Sequence, residues 1–233
     1  MRKEEIKIEE AIEMMSDIFA PLTDQQRQLL IDNLSIHTYK RNQNVYQEGD
    51  RPFLFFCLLS GKVKVYKEGV GGRNQIMQVL RAVQYFGLRA YLAGQKYTTS
   101  SAAFEKCIIA SIPLKIFTNV LRENAQLAYY FLRNYATQLG TVSERTVNLT
   151  QKHIRARLAE GILFLKKSYG LEEDGCTLSI YLSREDMASL CNMTTANAIR
   201  TLSKFAAEKL IAIDGRKIKI IDEEGIEKIS IMG

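Results

Sequence analysis

The chain has 233 residues, of which 46% are hydrophobic and 25% are charged, a composition typical of a globular protein with one large or two modest domains. No apolar run is long enough for a membrane span, and the N-terminus lacks the apolar core and cleavage site of a secretion signal. We therefore expect a cytoplasmic protein without a membrane partner.

Cysteine and histidine spacing argues against a metal centre and against catalysis. The chain has 4 cysteines and 2 histidines, at Cys57, Cys107, Cys176, Cys191, His37 and His153. None of the cysteines forms a close pair, so buried reduced thiols are a better interpretation than zinc or iron–sulfur ligands. No nucleophile lies at a recognisable spacing from a histidine, so we do not expect an enzyme.

The net charge of +6 is compatible with nucleic-acid binding, but the excess is local. Residues 1–151 hold 19 basic and 14 acidic side chains, whereas residues 152–233 hold 13 and 12. Within 184–219, however, 7 basic residues stand against 4 acidic ones. This pattern indicates a basic patch and not a uniformly basic domain.

The first elements along the chain are a short helix and a series of hairpins. Thr23 and Gln26 form a capping-box pattern, which predicts a helix within 21–36. From about 38 to 112, short apolar runs alternate with turn signals such as Gly61 and the glycines within 69–72. These runs predict a compact antiparallel barrel or roll.

The stretch FGLRAYLAGQKYTTSS, residues 86–101, has two competing interpretations. Its glycine turn, the cation of Arg89 and its hydroxyl residues suit the binding of a small anion such as phosphate. The same residues also suit a tight structural turn in which Arg89 pairs with a local carboxylate or carbonyl.

A regular apolar seam predicts a long helix over about 124–150. Apolar or small residues recur at spacings of four and three from Leu121 to Leu149. This a/d pattern favours a parallel two-stranded dimer; the alternative is a buried amphipathic helix without a partner. The predicted dimer contacts are Leu132, Tyr135, Leu139, Val142, Thr146 and Leu149.

The last segment predicts a winged helix-turn-helix. Ser183 and Thr194 are candidate N-caps of two short helices that are joined by a tight turn, and Asp214-Gly215 marks a hairpin after them. In the second helix, five residues are predicted to face inward: Ala198, Ile199, Leu202, Phe205 and Ala206. The predicted DNA contacts are Ser183, Thr194, Thr195, Asn197, Arg200, Lys204, Arg216 and Lys217. The alternative is a helical hairpin that binds protein.

This order of elements resembles the CRP/FNR family of bacterial transcription factors. The most specific part is LSREDMASLCNMTTANAIRTLSKF, which is similar to the family's helix-turn-helix signature, with Arg200 at its last arginine. Three positions depart from the signature, with Asn192 at a glycine, Thr195 at an arginine of the cyclic-AMP branch and Ala196 at a glutamate. The usual operator sequence is therefore not expected, because an alanine cannot read a cytosine amine.

The resemblance implies an α+β fold in two domains. Residues 1–151 would form an N-terminal antiparallel β-roll like that of cyclic-nucleotide-binding domains, ending in a dimerisation helix at about 118–151. Residues 152–233 would form the winged helix-turn-helix, with the recognition helix at about 194–208 in the major groove. Double-stranded DNA, a second copy of the chain and RNA polymerase are the implied partners.

The family's cyclic-nucleotide residues are mostly absent. The ribose-binding glutamate falls on Leu88, the phosphate-binding arginine and hydroxyl fall on Thr98 and Thr99, and the adenine-contacting pair falls on Val142 and Ser143. Cyclic AMP is therefore disfavoured, and so are haem and an iron–sulfur cluster. The residues of a pocket for an unidentified small molecule would be Gly87, Leu88, Arg89, Tyr97, Thr98, Thr99 and Ser143.

Two functions follow from these patterns. The first is a homodimeric, sequence-specific transcription regulator whose β-roll binds an unidentified ligand or no longer binds one. The alternative is a ligand-sensing module with vestigial or non-specific DNA binding.

Overall fold

The computed structural model describes residues 6–69 and 72–232, without the side chain of residue 232. Residues 70 and 71 of the predicted glycine turn lie outside these ranges. The first unit runs up to Glu68 and includes Met77–Gln138; the second comprises Gly69–Ile76 and the chain from Leu139 onward. The predicted boundary after residue 151 stays a prediction.

The first unit begins with short helices and continues with a series of strands. Thr23 and Gln26 form the predicted capping box, since the Thr23 hydroxyl accepts from the Gln26 amide and the Gln26 side chain accepts in return. The helices at the start are α1 (Ile8–Met14), α2 (Ser16–Phe19) and α3 (Asp24–Asp32). The strands are β1 (Ser35–Tyr39), β2 (Asn44–Tyr46), β3 (Leu54–Ser60), β4 (Lys62–Glu68), β5 (Asn74–Arg81), β6 (Gln84–Phe86), β7 (Ser100–Ala103) and β8 (Cys107–Pro113).

Two four-stranded sheets make up the roll. Their strand orders are β1-β8-β3-β6 and β2-β7-β4-β5. Strands β8 and β3 pair antiparallel, with Leu58 opposite Ile109 and Phe56 opposite Ser111. Their unbroken apolar sequences are explained by burial, because almost every side chain of β3 and β8 is inaccessible to water. The predicted antiparallel roll is confirmed.

Aromatic packing attaches the helices to the roll. Helix α4 (Leu88–Leu92) lies between β6 and β7, and α5 (Leu114–Glu123) follows β8 directly. The rings of Phe55 and Phe117 are stacked with centroids 4.0 Å apart, and the ring of Phe131 meets both edge-on. Phe131 belongs to α6 (Ala125–Gln151), so the first half of the long helix is fixed to this core.

The second unit contains the winged helix-turn-helix and one helix that the sequence did not reveal. Its elements are α7 (Ile154–Tyr169), α8 (Arg184–Leu190), α9 (Thr195–Ala207), β9 (Ile211–Asp214), β10 (Lys217–Ile220) and α10 (Glu223–Met232). Strands β9 and β10 pair antiparallel around the predicted turn. Helix α10 packs on α7, and Lys166 forms an ion pair with Glu223 there.

Candidate DNA-binding surface and effector site

Local hydrogen bonds fix both helices of the helix-turn-helix as the sequence predicts. The Ser183 hydroxyl accepts from the Asp186 amide at 3.0 Å, and the Thr194 hydroxyl accepts from the Asn197 amide at 3.2 Å. Between the helices Asn192 has a left-handed backbone with φ of 50°, the conformation expected where the family has glycine. These caps place the N-terminal residues of α9 next to the tight turn that joins α8 and α9.

The inner face of α9 differs from the prediction at one position. Ala198, Leu202 and Phe205 are buried as expected, whereas Ile199 is 48% exposed. Each step along a helix rotates the side chain by about 100°, so Ile199 lies toward the outer face while its neighbour Ala198 points into the core. The prediction for Ile199 was therefore wrong. An exposed isoleucine on this helix is suited to contact with a thymine methyl group, a role that sequence reasoning missed.

The polar side chains predicted on the outer face of α9 are accessible. Thr195, Arg200 and Lys204 are exposed. The Arg200 guanidinium donates to the Asn197 side-chain oxygen at 3.1 Å, so these two residues lie side by side. An arginine held by an asparagine in this way presents a planar fork of donors to the outside of the helix. The arrangement suits the reading of base edges or the clamping of a phosphate.

The hairpin β9–β10 carries an exposed arginine at its turn and two lysines, Lys217 and Lys219, that have acidic neighbours. Arg216 lies exposed at the turn. The Lys217 amine lies 3.6 Å from the Glu172 carboxylate and 5.2 Å from the centre of the Tyr181 ring. Arg184, at the start of α8, donates to the Gly215 carbonyl at 2.8 Å and ties the helix-turn-helix to the wing turn. The acidic residues before α8 thus reduce the free charge of the wing.

The FGLRAYLAGQKYTTSS stretch adopts the turn that its glycine predicts. Gly87 has φ of 87°, and a Cβ at this position would lie 2.7 Å from a ring carbon of Phe56. Leu88, which stands where the family has a ribose-binding glutamate, is 1% exposed. The buried Tyr97 ring stacks on Tyr46 with centroids 3.8 Å apart. Apolar and aromatic packing therefore occupies this part of the roll.

Arg89 supplies a cation at this turn, close to several hydroxyl groups. The Arg89 guanidinium donates to the Thr98 hydroxyl at 2.6 Å. Burial raises the pKa of Tyr135 to about 12, and the nearby Arg89 opposes that rise. Burial also raises the pKa of Tyr46, with Thr99 and Arg89 opposing. We call the group Tyr46, Arg89, Thr98, Thr99 and Tyr135 the roll site. Over the two described ranges no carboxylate forms an ion pair with Arg89.

The predicted dimer residues of α6 separate into two groups. Leu132 is 65% exposed and Leu139 is 68% exposed, and Val142 and Thr146 are also exposed, whereas Leu149 is partly buried. Tyr135 instead packs against the core of the first unit, and it is therefore absent from the exposed stripe. The structure adds Tyr129 and Val147 to the exposed apolar residues of this helix. Ser143, predicted to line the pocket, lies in the second unit and donates to the Leu139 carbonyl at 2.9 Å.

Three cysteines, Cys57, Cys107 and Cys191, are buried, and Cys176 is partly exposed. Among the residues described, none of the helices is both long and apolar enough to cross a membrane.

A roll of two antiparallel sheets followed by a long helix and a winged helix-turn-helix defines a class of DNA-binding regulator. Comparison with known families agrees with this architecture. Residues 36–124 match the family described as cyclic nucleotide-binding domain, and residues 156–229 match the Crp-like helix-turn-helix domain. The chain belongs to the CRP/FNR family, and it is a DNA-binding transcription regulator.

Individual relatives are distant but align over most of their length. The global nitrogen regulator of Nostoc sp. is 26% identical over 188 residues, which cover 79% of this chain and 84% of the relative. The cAMP-activated global transcriptional regulator CRP of Salmonella typhimurium is 21% identical over 86% of this chain and 96% of its own. The structure of FixK2 from Bradyrhizobium japonicum shares the fold with a TM-score of 0.77, at 17% identity, covering 86% of this chain and 98% of that chain. Both curated relatives are named as regulators.

Proposed function

We propose that the protein regulates transcription as a homodimer that recognises a specific operator through α9. The observation that carries this proposal is the exposed outer face of α9, where the hydrogen-bonded pair of Arg200 and Asn197 lies beside Ile199. A two-fold dimer would present two such helices to successive major grooves, about 34 Å apart.

Each side chain of this surface has a distinct role in the proposal. Arg200 donates to a guanine or a phosphate, and Asn197 contacts a base edge. Thr195 and Ser183 bind phosphates near the helix N-termini, and Arg216 and Lys217 contact the backbone from the wing. Because Lys217 already has an acidic neighbour, we expect Arg216 to contribute more to the salt dependence of binding.

The exposed apolar stripe of α6 supports the dimer. Leu132 and Leu139 are spaced by seven residues, and each leaves about two-thirds of its side chain exposed. A parallel partner helix would cover these leucines, together with Val142, as an a/d seam. RNA polymerase is a further proposed partner, on the basis of the resemblance alone.

For the β-roll we propose a small anionic effector other than cyclic AMP. The roll site supports this because Arg89 contacts the Thr98 hydroxyl and lies near Tyr46 and Tyr135, whose hydroxyl groups can donate to the same anion. Some curated relatives are named as cAMP-activated. In this chain, however, Leu88 fills the position of the ribose-binding carboxylate.

The DNA-binding proposal is tested by substituting Arg200. An operator is first selected from random sequences with the purified protein. Arg200→Ala should weaken binding to that operator by about 1–3 kcal/mol and relax the preference at one base position. Arg200→Lys retains the charge but not the planar fork, so it separates base recognition from phosphate attraction. Unchanged operator affinity in a gel shift would exclude this role of α9 and favour the ligand-sensing alternative.

The effector proposal is tested by thermal shift against a library of metabolites. Anionic compounds should raise the melting temperature of the wild-type protein but not of Arg89→Gln. Cyclic AMP serves as a comparison and should leave both proteins unchanged. Stabilisation by cyclic AMP, or equal stabilisation of both proteins by every anion, would contradict the proposal.

A further inference from the structure

One arginine of the long helix connects three elements of the second unit. The Nη2 group of Arg145, on α6, donates to the Ile76 carbonyl of β5 at 2.8 Å and to the Leu190 carbonyl of α8 at 2.9 Å. The guanidinium carbon lies 5.6 Å from the centre of the Phe164 ring on α7. The arginine is thus held by the strand β5, the helix α7 and the end of α8, the first helix of the helix-turn-helix.

The Leu190 carbonyl needs such a donor. The last carbonyls of a helix have no partner within the helix. Leu190 is the final residue of α8, and the chain turns away there through the left-handed Asn192. The side-chain amide of Gln75 also approaches the Leu190 carbonyl, at 3.5 Å. A positive charge at a helix C-terminus is additionally favoured by the helix dipole.

A second arginine holds the other side of the same turn. Arg157, on α7, donates to the Asn192 carbonyl at 2.6 Å. Cys191 lies between the two bonded carbonyls and is buried, and a Cβ added to Gly161 would clash with its sulfur. The turn is therefore fixed by charge-assisted hydrogen bonds on both sides and by tight packing beneath it.

We propose that Arg145 is a positioning residue for DNA binding: it fixes the turn between α8 and α9 to α6 and β5, and thereby sets the orientation of the recognition helix. Helix α9 starts at Thr195, three residues after Asn192, so a shift of the turn moves its first residues directly. A displacement of α6 or β5 near Arg145 would be passed to the turn through the two carbonyl bonds.

This role extends the proposed function to residues that do not touch DNA. It rests on the proposed recognition of DNA by α9, but its geometric part can be measured without DNA. Arg145 donates to carbonyls inside the unit, so its loss should affect specific recognition more than attraction to phosphates. Specific complexes require an exact fit to base edges, whereas non-specific binding depends mainly on charge.

The experiment compares Arg145→Gln with Arg145→Lys and with the control Arg122→Gln, which removes an exposed arginine from α5. Affinity is measured for the selected operator and for unrelated DNA. In parallel, labelling of Cys191 by a maleimide is followed by peptide mass spectrometry in a Cys176→Ser background. The buried Cys57 and Cys107 report unfolding of the first unit in the same samples, and calorimetry reports unfolding of the second unit.

For Arg145→Gln we expect roughly tenfold weaker operator binding, the effect of losing about one hydrogen bond to a charged group. Non-specific affinity should change no more than in Arg122→Gln. Cys191 should label faster while Cys57 and Cys107 do not, and Arg145→Lys should restore part of both properties.

Three results would overturn the proposal. One is operator affinity and Cys191 labelling equal to those of Arg122→Gln. Another is an equal loss of specific and non-specific affinity. The third is faster labelling of all three buried cysteines together, or a lower calorimetric stability of the whole second unit that accounts for the labelling of Cys191. If the wild-type protein itself selects no operator, the proposed function fails, while the labelling comparison still tests the fixed turn.

Discussion

The winged-helix unit and the β-roll differ in how many of the polar residues expected from the family resemblance they contain. On α9 and the wing, the predicted polar residues Arg200, Lys204 and Arg216 are exposed and available to a partner. In the roll, the position of a ligand-binding carboxylate is filled by the buried Leu88, and Tyr97 stacks on Tyr46. A surface can carry polar side chains at little cost, because water solvates them. An interior site that loses its polar groups must instead be filled by packing, because a void or an unpaired polar group is costly.

The two regions also differ in how their cations are held. Arg89 in the roll site contacts a hydroxyl, whereas Arg145 and Arg157 in the second unit donate to backbone carbonyls. A hydroxyl can turn either to donate to an anion or to accept from an arginine, whereas a helix-end carbonyl can only accept. Arg89 is therefore suited to binding an effector, whereas Arg145 is suited to positioning the elements around it.

The largest expected effect comes from breaking the proposed dimer, which would leave the winged helix without its symmetric partner. Leu139→Glu places a charge in the exposed stripe and should convert the dimer to a monomer, with operator affinity reduced by at least about 100-fold. Thr137→Glu adds the same charge on the opposite side of α6 and should leave both properties unchanged. Sedimentation velocity measures the oligomeric state, and gel shift measures the operator affinity. A Leu139→Glu protein that stays dimeric would contradict the assigned interface.

A pair of core substitutions tests whether the two regions unfold separately. Phe117→Ala in the roll and Phe205→Ala in α9 each remove a fully buried ring, and each should cost about 3–5 kcal/mol. We expect two calorimetric transitions, with Phe117→Ala lowering one and Phe205→Ala lowering the other. A single transition shifted equally by both substitutions would show that the two units unfold together as one cooperative unit.

A smaller effect is expected at the turn of the roll site. Gly87→Ala combines a positive φ with a close approach to Phe56, and should destabilise the roll by roughly 1–3 kcal/mol. Gly94→Ala is the matched control, because Gly94 also has a positive φ, of 64°, but has open space around it. The difference between their denaturation midpoints isolates the steric contribution. Equal midpoints would mean that the packing against Phe56 is not tight.

The smallest effect concerns an ion pair beside α9. Arg155 donates to both carboxylate oxygens of Glu208 and thereby lowers the pKa of Glu208 below its ordinary value of 4.5. The ionised form is favoured in the folded state, so its stabilisation is present above about pH 4.5 and is lost as the pH falls further.

Glu208→Gln should therefore make stability less dependent on pH below 4.5. Urea denaturation of this variant across the acid range measures the effect, with Glu224→Gln on α10 as the control. An unchanged dependence on pH would show that the pair is not maintained in solution.

Features that depend on a few neighbouring residues were predictable from the sequence. The caps at Thr23, Ser183 and Thr194 and the left-handed Asn192 all have the expected geometry. The long helix matches the predicted bounds of 124–150 within a residue, whereas the dimerisation helix expected from about 118 is interrupted at Asn124, whose backbone is extended. Helix caps and turns are determined by hydrogen bonds within about four residues, so the relevant information is local.

Other features required the tertiary structure, because they depend on residues that are distant in sequence. Tyr135 fits the a/d periodicity of α6, but its side chain packs against the core of the first unit and is not part of the exposed stripe. The sequence predicts a free cation at Lys217, whereas in the structure its amine lies near the Glu172 carboxylate. Arg145 had no predicted role, because its acceptors lie 69 and 45 residues away. The sequence by itself determined the order of the roll, the long helix and the winged helix-turn-helix, together with their local caps, because these depend on neighbouring residues. Tertiary packing decided which side chains remain exposed, including Ile199 on α9, because it depends on residues that are far apart in the chain.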